Sequence, residues 1–491
     1  MKSKHNRKLV ASVIILFIAN VIFFLTIWLL QEYDNICFDQ FLYSLKTSLK
    51  GTDNALVISG FFYMGGLSAL LTLAEIGIYL LLSKKIFKKY SAYFVKTVIP
   101  LVIVCLILSV TFFDLKINVV SYAVITNTNS DFFEDNYIKP DSVNIKFPEK
   151  KRNLVFIFAE SMENTYASVE AGGQFEKNRI PELCELAKCN VNFSNSKGLG
   201  GGCCYDGTTW TAGSMFSATA GITVKVPVTT DSYSRKGSFL PNVVTLGDIL
   251  YKNGYNQTII MGSDAEFANR DLYFENHGNY NVIDVNAVKK SGRLPQDYKE
   301  WWGFEDQKLF EFAKEELLSL SSQDKPFNLT LLTADSHFPE GYICKECEDE
   351  FPEQYSNVLR CSSKRIAEFV NWIKQQSFYE DTTVIIVGDH LTMDPEFLKN
   401  VSEDYERTCY NCFINPAVSP QKEKERKFAT FDLMPTTLAS LGVQIEGERL
   451  GLGTNLFADT ETLTEKYSFD YVNEELTKKS RYYNEYILDM K

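Results

Sequence analysis

Positive charge is scarce in this chain: 50 Lys and Arg against 62 Asp and Glu leave a net charge of -12 and a pI near 5.1. Nucleic-acid phosphates are neutralised by clustered Lys and Arg, so nucleic acid is excluded as the expected partner. Histidine is scarcer still, with 4 in 491 residues, which makes the setting of each one informative. No internal repeat or low-complexity block interrupts the sequence, and 45% apolar residues with 14% aromatics exclude a disordered chain.

Long apolar runs fill the N-terminal region instead. Leu9 to Leu30 carries no charge and is long enough to cross a bilayer. It outlasts the apolar core of a secretory signal and ends in Trp28, Leu29 and Leu30 rather than small cleavage-site residues, so it is expected to be retained. A second run extends from about Ala55 to Ser83 with only Glu75 inside, and a third from Thr97 to Phe113 with Pro100 near its start. The reading is a membrane domain over 1–114 with three transmembrane helices, about 9–30, 55–83 and 97–113. Glu75 is expected to pair with a neighbouring helix or backbone. Lys2, Lys4, Arg7 and Lys8 precede the first span and Lys84, Lys85, Lys88 and Lys89 follow the second, which places both clusters in the cytoplasm. The third span then carries everything after about Asp114 to the extracytoplasmic side of a multi-pass protein of the inner (cytoplasmic) membrane.

Nine of the 11 cysteines lie beyond that point, where an oxidising compartment permits disulfides. Cys409 and Cys412 have Cys-x-x-Cys spacing without a second pair at zinc-finger distance, so a disulfide is expected there; Cys344 with Cys361 and Cys184 with Cys189 are further pairings. Adjacent Cys203 and Cys204 read as bridge members rather than reactive thiols.

Residues 115–150 are of mixed and polar character and read as a connector, 151–458 as the extracytoplasmic catalytic domain, and 459–491 as a C-terminal tail without an interpretable motif. In the domain, Val-, Ile- and Phe-rich runs alternate with helical patterns, the signature of an α/β fold with a mostly parallel sheet covered by helices. Four runs read as buried strands: Asn153 to Phe158, Gln257 to Met261, Phe327 to Leu332 and Thr383 to Val387. Ligands collect past the carboxyl ends of such strands, which singles out Glu160, Asp264, His337 and the pair Asp389-His390. Any one of these carboxylates taken alone reads equally well as a helix cap. Asp389 and His390 offer one hard oxygen and one imidazole to a divalent metal, and Glu160 completes the set. His277, before Gly278, reads as a helix-end residue.

A nucleophile is supplied by Gly207-Thr208-Thr209-Trp210-Thr211, a glycine-bearing turn before the small-residue helix Ala212 to Ala220. Thr211 at the start of that helix has backbone N–H groups beside it to hold a phosphate, and a metal would make its oxygen more nucleophilic. The alternative is that Thr211 or Thr208 merely caps the helix.

With these residues in place, the chain resembles the sulfatase-like phosphoglycerol transferases, nearer to the branch acting on osmoregulated periplasmic glucans than to the lipoteichoic acid synthases. The resemblance runs through Phe41 to Asp53, Asn153 to Ser161, the threonine segment, Phe267 to Asp271, Trp302 to Phe304, Asp335 to Pro339, Gly388 to Leu391 and Leu450 to Gly453. It implies an alkaline-phosphatase/sulfatase-like fold, one divalent ion, manganese, held by Glu160, Thr211, Asp389 and His390, and Thr211 as nucleophile. It further implies that Arg270 grips the substrate phosphate and that His337 lies near substrate and assists proton transfer. Ala268 departs from the tryptophan of lipoteichoic acid synthases, and Thr209 from a glycine often found before the aromatic of the nucleophile segment. The Cys-x-Pro-x-Arg or Ser-x-Pro-x-Arg signature that yields the formylglycine of true sulfatases is absent, which argues against sulfate-ester hydrolysis.

The function implied is transfer of sn-glycerol 1-phosphate from phosphatidylglycerol to a surface or periplasmic glycan acceptor through a phosphothreonine-type intermediate. The competing readings are a phosphoethanolamine transferase or phosphodiesterase on the same fold and, from another class, a non-catalytic membrane-bound binding protein.

Overall fold

The computed structural model describes residues 2–33, 38–47, 50, 52, 54–86, 91–226, 233, 239–394 and 396–490. The chain divides into two compact units, Met1–Phe38 with Thr52–Val124, and Asp39–Gly51 with Ile125–Lys491. The first unit is helical: α1 (Lys2–Glu32), then, past a helix described below, α3 (Asn54–Phe61), α4 (Ser68–Ile86) and α5 (Ser91–Ile117). Among the described residues, three stretches are long and apolar enough to cross a membrane, Arg7–Glu32, Ala55–Leu81 and Val98–Ile117. Glu75 is held as expected of an acid within a span: Asn20 Nδ2 donates to its Oε2 at 2.8 Å and to Thr72 Oγ1 at 3.0 Å. Lys88 and Lys89, two of the basic residues used to orient the chain, lie outside the described residues.

Helix α2 (Phe38–Lys46) belongs almost wholly to the second unit, although it lies between the first two apolar stretches in sequence. Among the described residues the main sheet of that unit has six strands: β1 (Asn153–Ala159), β2 (Asn256–Met261), β3 (Asn281–Ile283), β4 (Phe327–Leu332), β5 (Thr382–Gly388) and β6 (Asn411–Ile414). Their order is β3-β2-β4-β1-β5-β6, parallel throughout except for the antiparallel edge strand β6. The central strands are buried along nearly their whole length because both faces of a parallel sheet are covered, which is why they read as unbroken apolar runs. Helices α8 (Asp306–Ser321) and α9 (Gln354–Lys374) lend Phe310, Leu317, Leu359, Phe369 and Ile373 to the core that covers one face.

The ends of this unit are tied in. Ile145 and Lys146 pair with Ile445 and Gln444. Near the C-terminus Val472 and Tyr483 are buried, and Glu465 holds the buried Arg426 at 2.7 Å.

Two cysteine pairings are corrected. Cys184 and Cys189 lie on the single helix Pro181–Cys189, where a separation of five residues turns the side chains away from each other. They bond Asn178 and Glu185 instead. Cys409 and Cys412 are three apart on extended chain and so point to opposite faces. Cys412 enters the core, and Cys409 Sγ lies 3.2 Å from Cys204 Sγ.

Candidate active site

Register builds the centre of the site. Strands β1 and β5 pair with Ala159 opposite Gly388, so the next residues of each, Glu160 and Asp389, leave the sheet side by side. Gly388 is required at this corner, since a Cβ there would stand 1.8 Å from the Met162 carbonyl oxygen. Asp389 Oδ1 accepts the backbone N–H groups of Ser161 at 2.7 Å and His390 at 2.8 Å. Its other oxygen, Oδ2, is buried and makes no hydrogen bond.

The threonine segment arrives from the opposite side. Gly207 turns at φ +82°, where a Cβ would meet the Val224 oxygen at 2.3 Å, and α6 (Thr211–Ala220) starts after Trp210 as N-cap. The capping alternative fails: no side chain caps this end, and Thr208 Oγ1 donates to the Tyr205 carbonyl. Thr211 Oγ1 instead lies 3.3 Å from Glu160 Oε2 and 3.2 Å from His390 Nε2. His390 Nε2 is 3.5 Å from both Glu160 Oε1 and Asp389 Oδ2.

These separations fit a shared cation. Ligand atoms about 2.0–2.2 Å from one ion in tetrahedral array stand roughly 3.4 Å apart. Glu160, Asp389 and His390 form a fully buried group able to hold a metal ion, and the orphaned Asp389 Oδ2 is an acceptor awaiting a partner. The His390 Nδ1–H donates to the Leu391 carbonyl at 2.9 Å, which leaves Nε2 turned to the group, to hold either a proton or a cation. Burial, then repulsion from Glu160, pushes the Asp389 carboxyl up to about 7. Burial alone would lower His390, but Asp389 and Glu160 outweigh it and raise it to about 9. The pocket therefore draws positive charge.

Arg270 opens α7 (Arg270–Asn276) after two left-handed residues, Ala268 and Asn269. The side chain is buried and forms no ion pair with a carboxylate among the described residues; its Nε and Nη2 donate to Phe267 O, Ser263 Oγ and Asp264 O. A buried guanidinium satisfied only by neutral oxygens is suited to an anionic substrate. Burial holds its pKa down to about 10, offset in part by Glu160 and Asp264.

His337 packs against Trp302 with ring centroids 4.8 Å apart and donates from Nδ1 to the Phe338 carbonyl at 2.6 Å. Burial lowers its pKa to about 4, partly offset by that hydrogen bond. In the unfolded chain an imidazole titrates near 6.5, so between these values the unfolded state binds the extra proton. Stability contributed by neutral His337 is present above about pH 6.5 and lost as pH falls toward 4. Replacing His337 by Gln is expected to flatten this loss: thermal melts at pH 7 and pH 5 should show a smaller drop in Tm for the variant than for the wild type.

Two expectations resolve toward plain structure. Asp264 caps the following turn, accepting from Glu266 N at 2.9 Å, and pairs with Lys50 at 3.6 Å. His277 is the C-cap of α7, bonded to Asp248 and the Phe239 carbonyl.

The residues that sequence reasoning missed come from α2. Tyr43 is buried, donates to the Ala268 carbonyl at 2.7 Å and packs its ring, tilted, against Trp210 at 5.6 Å, so it braces both the arginine loop and the nucleophile segment. Asp39, buried beside Asp206, is pushed up to about 7 by burial and that neighbour. The family-like stretch from Phe41 to Asp53 was the available signal.

The sulfatase family model matches residues 152–443, more than half of the chain and the whole of the sheet just described. The chain belongs to the sulfatase family. Among its sulfatase-family relatives is phosphoglycerol transferase I of Salmonella choleraesuis (strain SC-B67), 32% identical over 316 residues, covering 63% of this chain and 39% of that protein. The Salmonella typhi protein of the same name is 31% identical over 302 residues, covering 60% and 38%. The chain thus spans about two fifths of the length of the curated relatives it matches. Among solved structures, lipoteichoic acid synthase LtaP from Listeria monocytogenes is similar with TM-score 0.50 at 20% identity, covering 67% of this chain and 81% of that one. The integral membrane lipooligosaccharide phosphoethanolamine transferase A from Neisseria meningitidis has TM-score 0.51 at 16% identity, covering 89% and 84%. These likenesses show the fold.

Proposed function

We propose that this chain is a membrane-anchored phosphoglycerol transferase, with its sulfatase-family unit on the outer side of the inner membrane. The observation that carries the reading is the Thr211 hydroxyl at the start of α6, turned to Glu160 and His390 instead of capping its helix. The naming of the Salmonella relatives supports the phosphoglycerol group. Glu160, Thr211, Asp389 and His390 would hold one divalent ion, for which we favour manganese; when bound it supplies positive charge beside the oxyanions.

The chain's own groups do the rest. Arg270 binds a phosphodiester oxygen and so orients the phosphorus toward Thr211. Thr211 Oγ1 gives its proton toward Glu160 Oε2 and attacks the phosphorus. The bond from phosphorus to the diacylglycerol oxygen breaks, and diacylglycerol leaves after taking up a proton. A glycan hydroxyl then attacks the phosphothreonine, and the Thr211 oxygen departs and regains its proton. Neutral His337, with Nδ1–H committed to Phe338, offers Nε2 as acceptor for the incoming hydroxyl's proton.

The full chain incubated with manganese and head-group-labelled phosphatidylglycerol should release diacylglycerol and carry a glycerophosphoryl label on the Thr211 peptide. Labelling from phosphatidylethanolamine in its place would make the chain a phosphoethanolamine transferase. Release of free glycerophosphate despite abundant glycan would make it a phosphodiesterase, and silence with both lipids would overturn the reading.

A further inference from the structure

Away from this centre, three cysteine sulfurs converge. Cys344 and Cys347 lie in the segment between β4 and α9, and Cys361 is in the second turn of α9. Cys344 Sγ stands 3.7 Å from Cys361 Sγ and 3.5 Å from Cys347 Sγ, and all three sulfurs fall within 4.8 Å of one another. Sulfurs about 2.3 Å from one zinc ion in tetrahedral array are separated by roughly 3.8 Å, so the spacing is that of one face of a thiolate tetrahedron. A disulfide uses two sulfurs; here a third is brought to the same point.

The surroundings favour thiolates. The backbone N–H of Cys344 points at Cys347 Sγ, 3.3 Å away, and that of Glu346 at Cys344 Sγ, 3.4 Å away, as a Cys-x-x-Cys turn does when it wraps a cation. Arg365, one turn beyond Cys361, sets Nη2 3.1 Å from Cys344 Sγ and 3.7 Å from Cys361 Sγ, and is itself fixed by Glu346 at 3.1 Å. Three thiolates and a dication leave one negative charge, which the Arg365 guanidinium, shared with the more exposed Glu346, lies beside.

We propose that Cys344, Cys347 and Cys361 bind a zinc ion, with solvent as fourth ligand because no further Cys, His, Asp or Glu joins the group among the described residues. Binding releases the three thiol protons to water and involves no oxidation. The ion clamps the segment after β4 to α9. That segment also carries His337, and Tyr342 N donates to the Asp335 carbonyl at 2.7 Å, so the clamp fixes the loop that presents His337. The inference does not rest on the transferase reading.

The test uses the full chain in detergent, stripped of metal under non-oxidising conditions and then supplied with zinc alone. X-ray absorption should show sulfur scatterers at about 2.3 Å, and zinc should protect all three cysteines from maleimide in a peptide map. Cys347→Ser should lose one bound zinc per chain, while Asp389→Asn keeps the sulfur-bound ion. Should Cys347→Ser fail to fold, the maleimide map on the wild-type chain decides independently. Zinc that shows no sulfur neighbours, three cysteines labelled equally with and without zinc, or a purified chain lighter by two hydrogens with Cys344 disulfide-linked to Cys361 or Cys347 would overturn the site.

Discussion

Thr211→Ala is expected to leave a folded chain with turnover reduced on the order of 10⁴-fold or more, roughly 5 kcal/mol of lost transition-state stabilisation. Among the described residues the hydroxyl bonds Glu160 and His390, and the next residues of α6 are buried through Ala212 to Ala220, so deleting one oxygen and one methyl at a half-buried position leaves the core intact. Thr211→Ser, which keeps the oxygen, should retain measurable turnover. Diacylglycerol release from phosphatidylglycerol checks both variants, with the melting temperature confirming the fold. Unchanged release in Thr211→Ala would remove the covalent mechanism.

Asp389→Asn is the second large effect, because Asp389 Oδ2 is the one buried carboxylate oxygen at the centre with no hydrogen bond to satisfy it. The amide keeps the shape, but its neutral oxygen is a far weaker ligand for a hard dication. Activity should fall by about 10³-fold, roughly 4 kcal/mol, and manganese bound per chain should drop together with it. Chelation of the wild type should reproduce the loss and added manganese should restore it; in the variant, restoration should fail. Full activity after exhaustive chelation would refute a catalytic cation.

The main strands were legible because a run such as Leu154 to Phe158 is short, rich in β-branched and aromatic residues, and apolar without interruption, as a strand covered on both faces is. Asn281–Ile283 and Asn411–Ile414 were not, since three or four residues at a sheet edge carry too little pattern. Glu160 and Asp389 could be singled out from their place after strands. Their juxtaposition was read from the convergence of strand ends and from the resemblance; the register that produces it, Ala159 opposite Gly388, was not legible. Thr211 was open between cap and nucleophile until Trp210 was found at the N-cap position. Tyr43 was missed because its partner, Ala268, is distant in sequence and no local periodicity points to it, whereas Cys347 stands at Cys-x-x-Cys spacing from Cys344 and that signal was passed over.

The membership of α2 in the second unit also orders the birth of the protein. Residues 39–51 leave the ribosome before the spans that follow, yet Tyr43 finds Trp210 and Ala268 only after the chain has grown past β2. Residues 52–124 are therefore an insertion within a discontinuous unit, and folding of that unit closes a loop through them. A truncated fragment that starts after the third apolar stretch would fold with Tyr43 missing, and the underside of the nucleophile segment would face water. Activities measured on such fragments would describe a looser site than the one the whole chain assembles.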